Sequence, residues 1–148
     1  MTAMDGETPT LRSRRTLSLR FNLPIARTHQ FWDALRDGRF VTTACRDCGW
    51  IGFPPQADCP SCMGANVEWV ELGTDAELVT YTQVQVTPTS FVESDPYVVG
   101  IGRLERGVKV LAWVEVETLD VLSPGAKVRI EARSDPSGAP YYVFVPVA

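Results

Sequence analysis

The rhythm of apolar and polar positions changes along this 148-residue chain. Residues 1–22 are polar and hold no sustained apolar period, which predicts a flexible arm. Residues 28–37, THQFWDALRD, take a helical spacing. Phe31, Trp32 and Leu35 fall on one face, Thr28 stands at the N-cap and Gly38 is placed to end the helix. Two bulky aromatics on so short a helix need cover, either from the chain's own core or from a partner. Three short strands follow, at 39–44, 50–53 and 66–72, with Pro54 and Pro55 stiffening the link between the last two.

Beyond Gly73 the pattern is of strands alone, at 77–86, 97–104, 108–117, 127–133 and 140–147. A tight Glu105-Arg106-Gly107 turn joins the second to the third, and Ser123-Pro124-Gly125 precedes the fourth. Five strands of this length predict a Greek-key barrel of OB type, with a β-sandwich as the alternative. The fold class expected is mainly β. An arm (1–27) leads into a helix plus ribbon (28–73), and an OB-fold (74–148) follows.

What lies between the short strands changes the picture. All four cysteines, Cys45, Cys48, Cys59 and Cys62, form two C-x2-C pairs separated by ten residues. At that spacing two tight turns offer four thiolates to one tetrahedral ion. Gly49 after the first pair and Gly64 near the second are placed to let each knuckle turn with positive φ. A structural zinc ion is the expected occupant. Four thiolates also accept iron, as in rubredoxin, and two disulfides or four unligated cysteines complete the alternatives. A closed set of four ligands leaves no position for activating water, so the ion would hold structure and do no chemistry.

Composition narrows the setting. Hydrophobic content of 45% and charged content of 22% belong to a globular chain. No apolar run is long enough for a membrane span, no secretory signal is evident, and a reducing cytoplasm suits the thiolates. Residues 1–30 carry a net +3 and the remainder −7. An acidic body argues against nucleic acid, whose affinity comes largely from cations releasing counterions.

No catalytic residues assemble from the pattern. His29 stands alone in the helical region, and every cysteine is committed. Glu115 and Glu117 lie on one face of a strand, as solvated carboxylates do. Gly100-Ile101-Gly102 falls inside a strand, where it marks a bulge or a close backbone approach rather than a phosphate loop.

The order FW-x-AL-x-x-G-x-F, C-x2-CG, FPP, CP-x-C and an all-β tail resembles acyl-CoA-associated proteins that join a rubredoxin-like zinc ribbon to an OB-fold. The resemblance covers residues 28–147. It implies a non-catalytic accessory subunit, part of a hetero-oligomer, docked on a thiolase-fold enzyme (thiolase, thiolase-like aldolase or acyltransferase) or on a MaoC-type hydratase. Such a subunit helps bind or channel coenzyme A thioesters in steroid or fatty-acyl metabolism. On that reading Phe31, Trp32 and Phe53 are candidates for the partner interface, and Arg103, Arg106 and Lys109 for the phosphates of coenzyme A. Ala44 and Gln56 stand where the resemblance leads one to expect arginines. The competing functions are a nucleic-acid-binding module and a small electron carrier.

Overall fold

The computed structural model describes residues 24–85 and 96–147. Most of the expected arm, and Val86 at the end of the first barrel strand, lie outside them. The helix α1 runs His29–Arg36 and buries Phe31, Ala34 and Leu35. Thr28 precedes it without a side-chain cap. The far end is closed by a Schellman arrangement. Gly38, at φ +74, donates its N–H to the Leu35 carbonyl, and Arg39 donates to that of Ala34.

A three-stranded antiparallel sheet follows, in the order β2 (Ile51–Gly52), β1 (Val41–Cys45), β3 (Val67–Glu71). All five residues of the central strand are buried, Thr42 and Thr43 among them. Their hydroxyls are satisfied locally. Thr42 Oγ1 donates to the Gly52 carbonyl, while Thr43 Oγ1 donates to the Gln56 carbonyl at 2.9 Å and accepts the Gln56 N–H at 2.8 Å. That clip fastens the segment after the two prolines to the sheet.

The remaining strands are β4 (Asp75–Val84), β5 (Tyr97–Arg103), β6 (Lys109–Val114), β7 (Lys127–Ser134) and β8 (Pro140–Pro146). They close into a barrel in the order β4-β5-β6-β8-β7, with β7 returning to β4. Its interior is filled by Leu78, Val98, Val110, Val114, Val128, Ile130 and Phe144, all buried. The glycines of β5 mark a close approach. A Cβ on Gly102 would lie 2.5 Å from the Phe144 ring, and one on Gly100 would lie 2.9 Å from Leu78 and Val114. The register slips between Leu78 and Thr80 of the neighbouring β4.

Several strand ends differ from the expected bounds, and two of them do so for reasons of tertiary pairing. The first barrel strand starts at Asp75 rather than 77, because Asp75 and Ala76 pair with β7 to close the barrel. The third ends at Val114 rather than 117, as Glu115 turns its N–H to the Phe144 carbonyl of β8. The hairpin turn between β5 and β6 holds Arg106 at φ 60 and Gly107 at φ 77. This positive-φ pair matches the twist of the flanking strands.

One apolar core runs through both parts of the chain. At its junction Phe31 of α1, Phe40, Phe53 and Tyr142 of β8 meet with ring centroids 5.0 to 6.1 Å apart. Phe40 and Phe53 stack, and the other pairs meet edge to face, the arrangement that ring quadrupoles favour. Among the described residues no helix is long and apolar enough to cross a membrane.

Candidate metal centre and surrounding surface

The knuckles at residues 45–49 and 59–63 are built by the same backbone bonds. In each, the carbonyl of the first cysteine accepts an N–H from four residues on: Gly49 to Cys45 at 3.0 Å, and Met63 to Cys59 at 2.9 Å. This turn needs a left-handed residue at its last position. Gly49 supplies it at φ +75, but in the second knuckle Met63 does so at φ 62, not Gly64 as the sequence led us to expect. Gly64 serves otherwise. A Cβ there would sit 3.2 Å from Asp47 Oδ2, a tight contact, and 3.4 Å from Cys62 Sγ.

The result is that Cys45, Cys48, Cys59 and Cys62 bring four sulfurs within 4.8 Å of one another. Cys45 and Cys62 are 3.6 Å apart at Sγ, as are Cys48 and Cys59. Four thiolates at Zn–S bonds of about 2.3 Å around a tetrahedral ion lie about 3.8 Å apart, so the donor set fits zinc with little adjustment. Burial opposes ionising Cys59, but N–H groups of Cys62 and Ser61 and the neighbouring thiols outweigh it and bring its pKa down to about 7. Cys62 goes the other way. The Gly64 N–H favours its thiolate, yet the sulfurs of Cys45, Cys59 and Cys48, together with burial, push it up to about 12. The first negative charge in the cluster forms readily and a later one needs a cation.

Arg27 braces the second knuckle from outside. Its guanidinium forks onto the Asp58 carboxylate at 2.8 and 2.9 Å and donates to the Ala57 carbonyl at 2.9 Å. That bond, with the nearby positive charge, holds Asp58 below the usual carboxylate range. Nothing in the local sequence pairs residue 27 with residue 58, so this brace is visible only once the chain is folded.

The other candidate residues divide. Phe31, Trp32 and Phe53 do line one hollow, of about 200 Å³, with Ile25, Pro54 and Tyr142. Phe31 itself is only 3% exposed. Most of its ring is covered by the chain's own core, one of the two kinds of cover the sequence left open. Trp32 and Phe53 stay half-buried. Of the three cations, Arg103 is engaged by Glu77 at 2.7 Å. Arg106, at the tip of the hairpin turn, and Lys109 have no ion-pair partner among the described residues. Lys109 lines a second hollow of about 380 Å³ with Phe53, Pro54, Ile101, Leu111 and Tyr142. His29 is exposed, with Nδ1 3.0 Å from the Ala26 carbonyl and Asp33 one helical turn on. Ala44 is buried in β1, and Gln56 is held by Thr43.

The sequence reading missed an apolar hollow of about 650 Å³, walled by Trp32, Leu111, Trp113, Pro140, Tyr141 and Tyr142. The signal was present in β6, where Leu111 and Trp113 occupy the outward positions of an alternating strand.

Comparison with known proteins agrees with this architecture. Residues 32–68 match the model for the ChsH2 rubredoxin-like zinc ribbon domain, and residues 69–133 that for the ChsH2 C-terminal OB-fold domain. A DUF35 domain-containing scaffold protein of Methanocaldococcus jannaschii is 34% identical over 75 residues, 50% of this chain and 53% of that protein. The match thus spans about half the length of that relative. One of Pyrococcus furiosus is 27% identical over 105 residues, 70% of this chain and 76% of its own. Among solved structures, a chain of the Ltp2-ChsH2(DUF35) aldolase superposes with a TM-score of 0.70 at 23% identity, covering 88% of this chain and all of that one. A DUF35 protein of unknown function from Sulfolobus solfataricus gives 0.56 at 20% identity, covering 80% and 84%. With both domain models matched in succession and the ribbon and closed barrel in place, the chain belongs to the ChsH2-type family of rubredoxin-like zinc ribbon plus OB-fold proteins.

Proposed function

We propose that this chain is a non-catalytic accessory subunit, held in shape by one zinc ion on Cys45, Cys48, Cys59 and Cys62, that docks on a thiolase-fold enzyme. The observation that carries the reading is the pairing, in one chain, of a four-cysteine cluster that would close a metal's coordination with the half-buried Trp32 and Phe53 at an apolar hollow. A four-thiolate ion has no open position for a reacting atom, whereas rigidly held aromatics are what protein interfaces use as anchors. The scaffold naming of the archaeal relatives and the fold likeness to a chain of the Ltp2-ChsH2 aldolase support it.

The finer reading concerns the ligand and the setting. An acyl-CoA passing between subunit and enzyme would meet Lys109 beside the hollow of Phe53, Pro54 and Leu111, with Arg106 on the adjoining turn. These two cations suit the phosphates of coenzyme A, since neither is spent on an internal carboxylate among the described residues. Steroid or fatty-acyl metabolism in a reducing cytoplasm is the setting we assign. A MaoC-type partner is the variant of the same reading. The competing nucleic-acid reading has less support, because the hollow of Trp113 and Tyr141 is lined by Asp135 and by no lysine or arginine.

The test is affinity purification of the tagged chain from its native extract, with partners identified by mass spectrometry. The expected result is a thiolase-fold enzyme in fixed stoichiometry, lost when Trp32 is changed to Ala. Recovery of no acyl-CoA enzyme, or turnover of a thioester by the purified chain alone, would defeat the proposal.

A further inference from the structure

Several exposed large apolar side chains gather at one place. Leu111 is 63% exposed, Trp113 46% and Tyr141 36%, and all three wall the hollow of about 650 Å³. That hollow lies over a split in the barrel. β6 and β8 are registered only where Trp113 meets Val143 and Val114 meets Phe144, so Leu111 and Ala112 face Pro140, Tyr141 and Tyr142 across a gap. Apolar surface of this kind gains free energy when an apolar segment displaces the water over it.

The described residues begin beside this gap. Ile25 borders a smaller hollow of about 350 Å³, which shares Trp32 and Pro140 with the larger one. The residues just before it lie outside the described ones, but their sequence is not uniformly polar. Leu17, Leu19, Phe21 and Leu23 alternate with Ser18, Arg20 and Asn22. A period of two makes a segment apolar along one side only when it is extended, the form that a gap between two strands accepts. Seven residues reach about 23 Å at about 3.3 Å each, against about 7 Å from Leu111 to Trp113 along β6. Only Pro24 separates Leu23 from Ile25, and a segment tethered so closely acts at an effective concentration in the millimolar range, which a separate partner must outcompete. Charge agrees. Among the described residues Asp135 is the one charged side chain lining the hollow, and the one charge in the segment is Arg20.

We propose that residues 17–23 lie extended across this hollow, with the three leucines and Phe21 turned onto Leu111, Trp113 and Tyr141. The contact is internal to the chain and needs no enzyme. Among the described residues the hollow of Lys109 shares only Leu111 and Tyr142 with this one, so Lys109 stays uncovered. Trp32 gains a backing here and still borders the hollow of Phe53.

Photocrosslinking of the zinc-loaded full chain, without enzyme or coenzyme A, tests this apart from the docking reading, so either can fail alone. With p-benzoylphenylalanine in place of Phe21, irradiation should link that position to the tryptic peptides 110–127 or 134–148. The product should keep the mass of a single chain, 16.4 kDa, with a yield independent of protein concentration. The double change Leu19→Ser with Phe21→Ser should uncover the hollow, raising the binding of anilinonaphthalene sulfonate several-fold at unchanged circular dichroism and zinc content. Links to other parts of the chain, no links at all, or unaltered dye binding would overturn the proposal. Links formed only between two chains would give the hollow to a second copy, and links formed only after enzyme is added would give it to that enzyme; either result overturns the proposal too.

Discussion

Four sulfurs within 4.8 Å of one another cannot all be thiolates without a cation among them, and the two shifted cysteines show where the difficulty falls. Cys59, near 7, is partly ionised at neutral pH before any metal arrives, whereas Cys62, near 12, keeps its proton. Binding must therefore expel at least the Cys62 proton, and acid restores it. The sign follows directly: protons compete with the metal, so affinity falls as pH falls. Between pH 8 and 6 the apparent zinc affinity should drop by about ten-fold or more per pH unit, read by competition with a chromophoric chelator. A flat profile would mean that the sulfurs are not the ligands. The same residues show what was legible beforehand. The ligand set could be read directly because spacing alone brings two C-x2-C turns together. Met63 in the left-handed position and Arg27 on Asp58 could not, because one is a compromise of backbone geometry and the other joins residues 31 apart.

Among elements, legibility tracked locality. Helix α1, the hairpin turn at Arg106-Gly107 and the alternation of β6 and β7 rest on neighbours in sequence, and their positions could be read there. Strand ends shifted where pairing is distant: Asp75 is a strand residue because Arg129 lies beside it, and β6 stops where β8 arrives in parallel. Gly100 and Gly102 stood between, marked as a bulge or close approach. Gly100 approaches Leu78 and Val114, and Gly102 approaches Phe144, a fully buried ring inside the barrel. Gly102→Ala places a methyl 2.5 Å from that ring, which is confined on every side. The ring must leave its rotamer or the strand must shift, so the variant should lose about 1–3 kcal/mol in urea unfolding. Adding Phe144→Leu should recover part of the loss. Additive losses in that double variant would show that the glycine serves the bulge in β4 rather than the ring.

For the whole molecule, the question is whether ribbon and barrel are two bodies or one. The aromatic junction favours one. Phe31, Phe40 and Phe53 come from the metal-held half, and Tyr142 comes from β8 of the barrel. Burial in this cluster also keeps the Tyr142 hydroxyl protonated beyond its usual range. A ribbon this small folds on the free energy of its ion, about 10–16 kcal/mol in comparable sites, so removing the ion should release three of the four rings at once. The barrel would then expose Tyr142 and lose the packing of a large ring, worth about 3–5 kcal/mol when such side chains are deleted from cores. Chelation should therefore do more than melt the ribbon: the barrel's own transition should fall by several degrees, read by near-ultraviolet dichroism against temperature. Tyr142→Ala should abolish this dependence, since the barrel would no longer lean on the ribbon. If the barrel of the unaltered chain melts at the same temperature with and without metal, the two halves are only tethered. A tethered ribbon could not hold Trp32 and Phe53 rigid against an enzyme, so the docking role depends on this coupling.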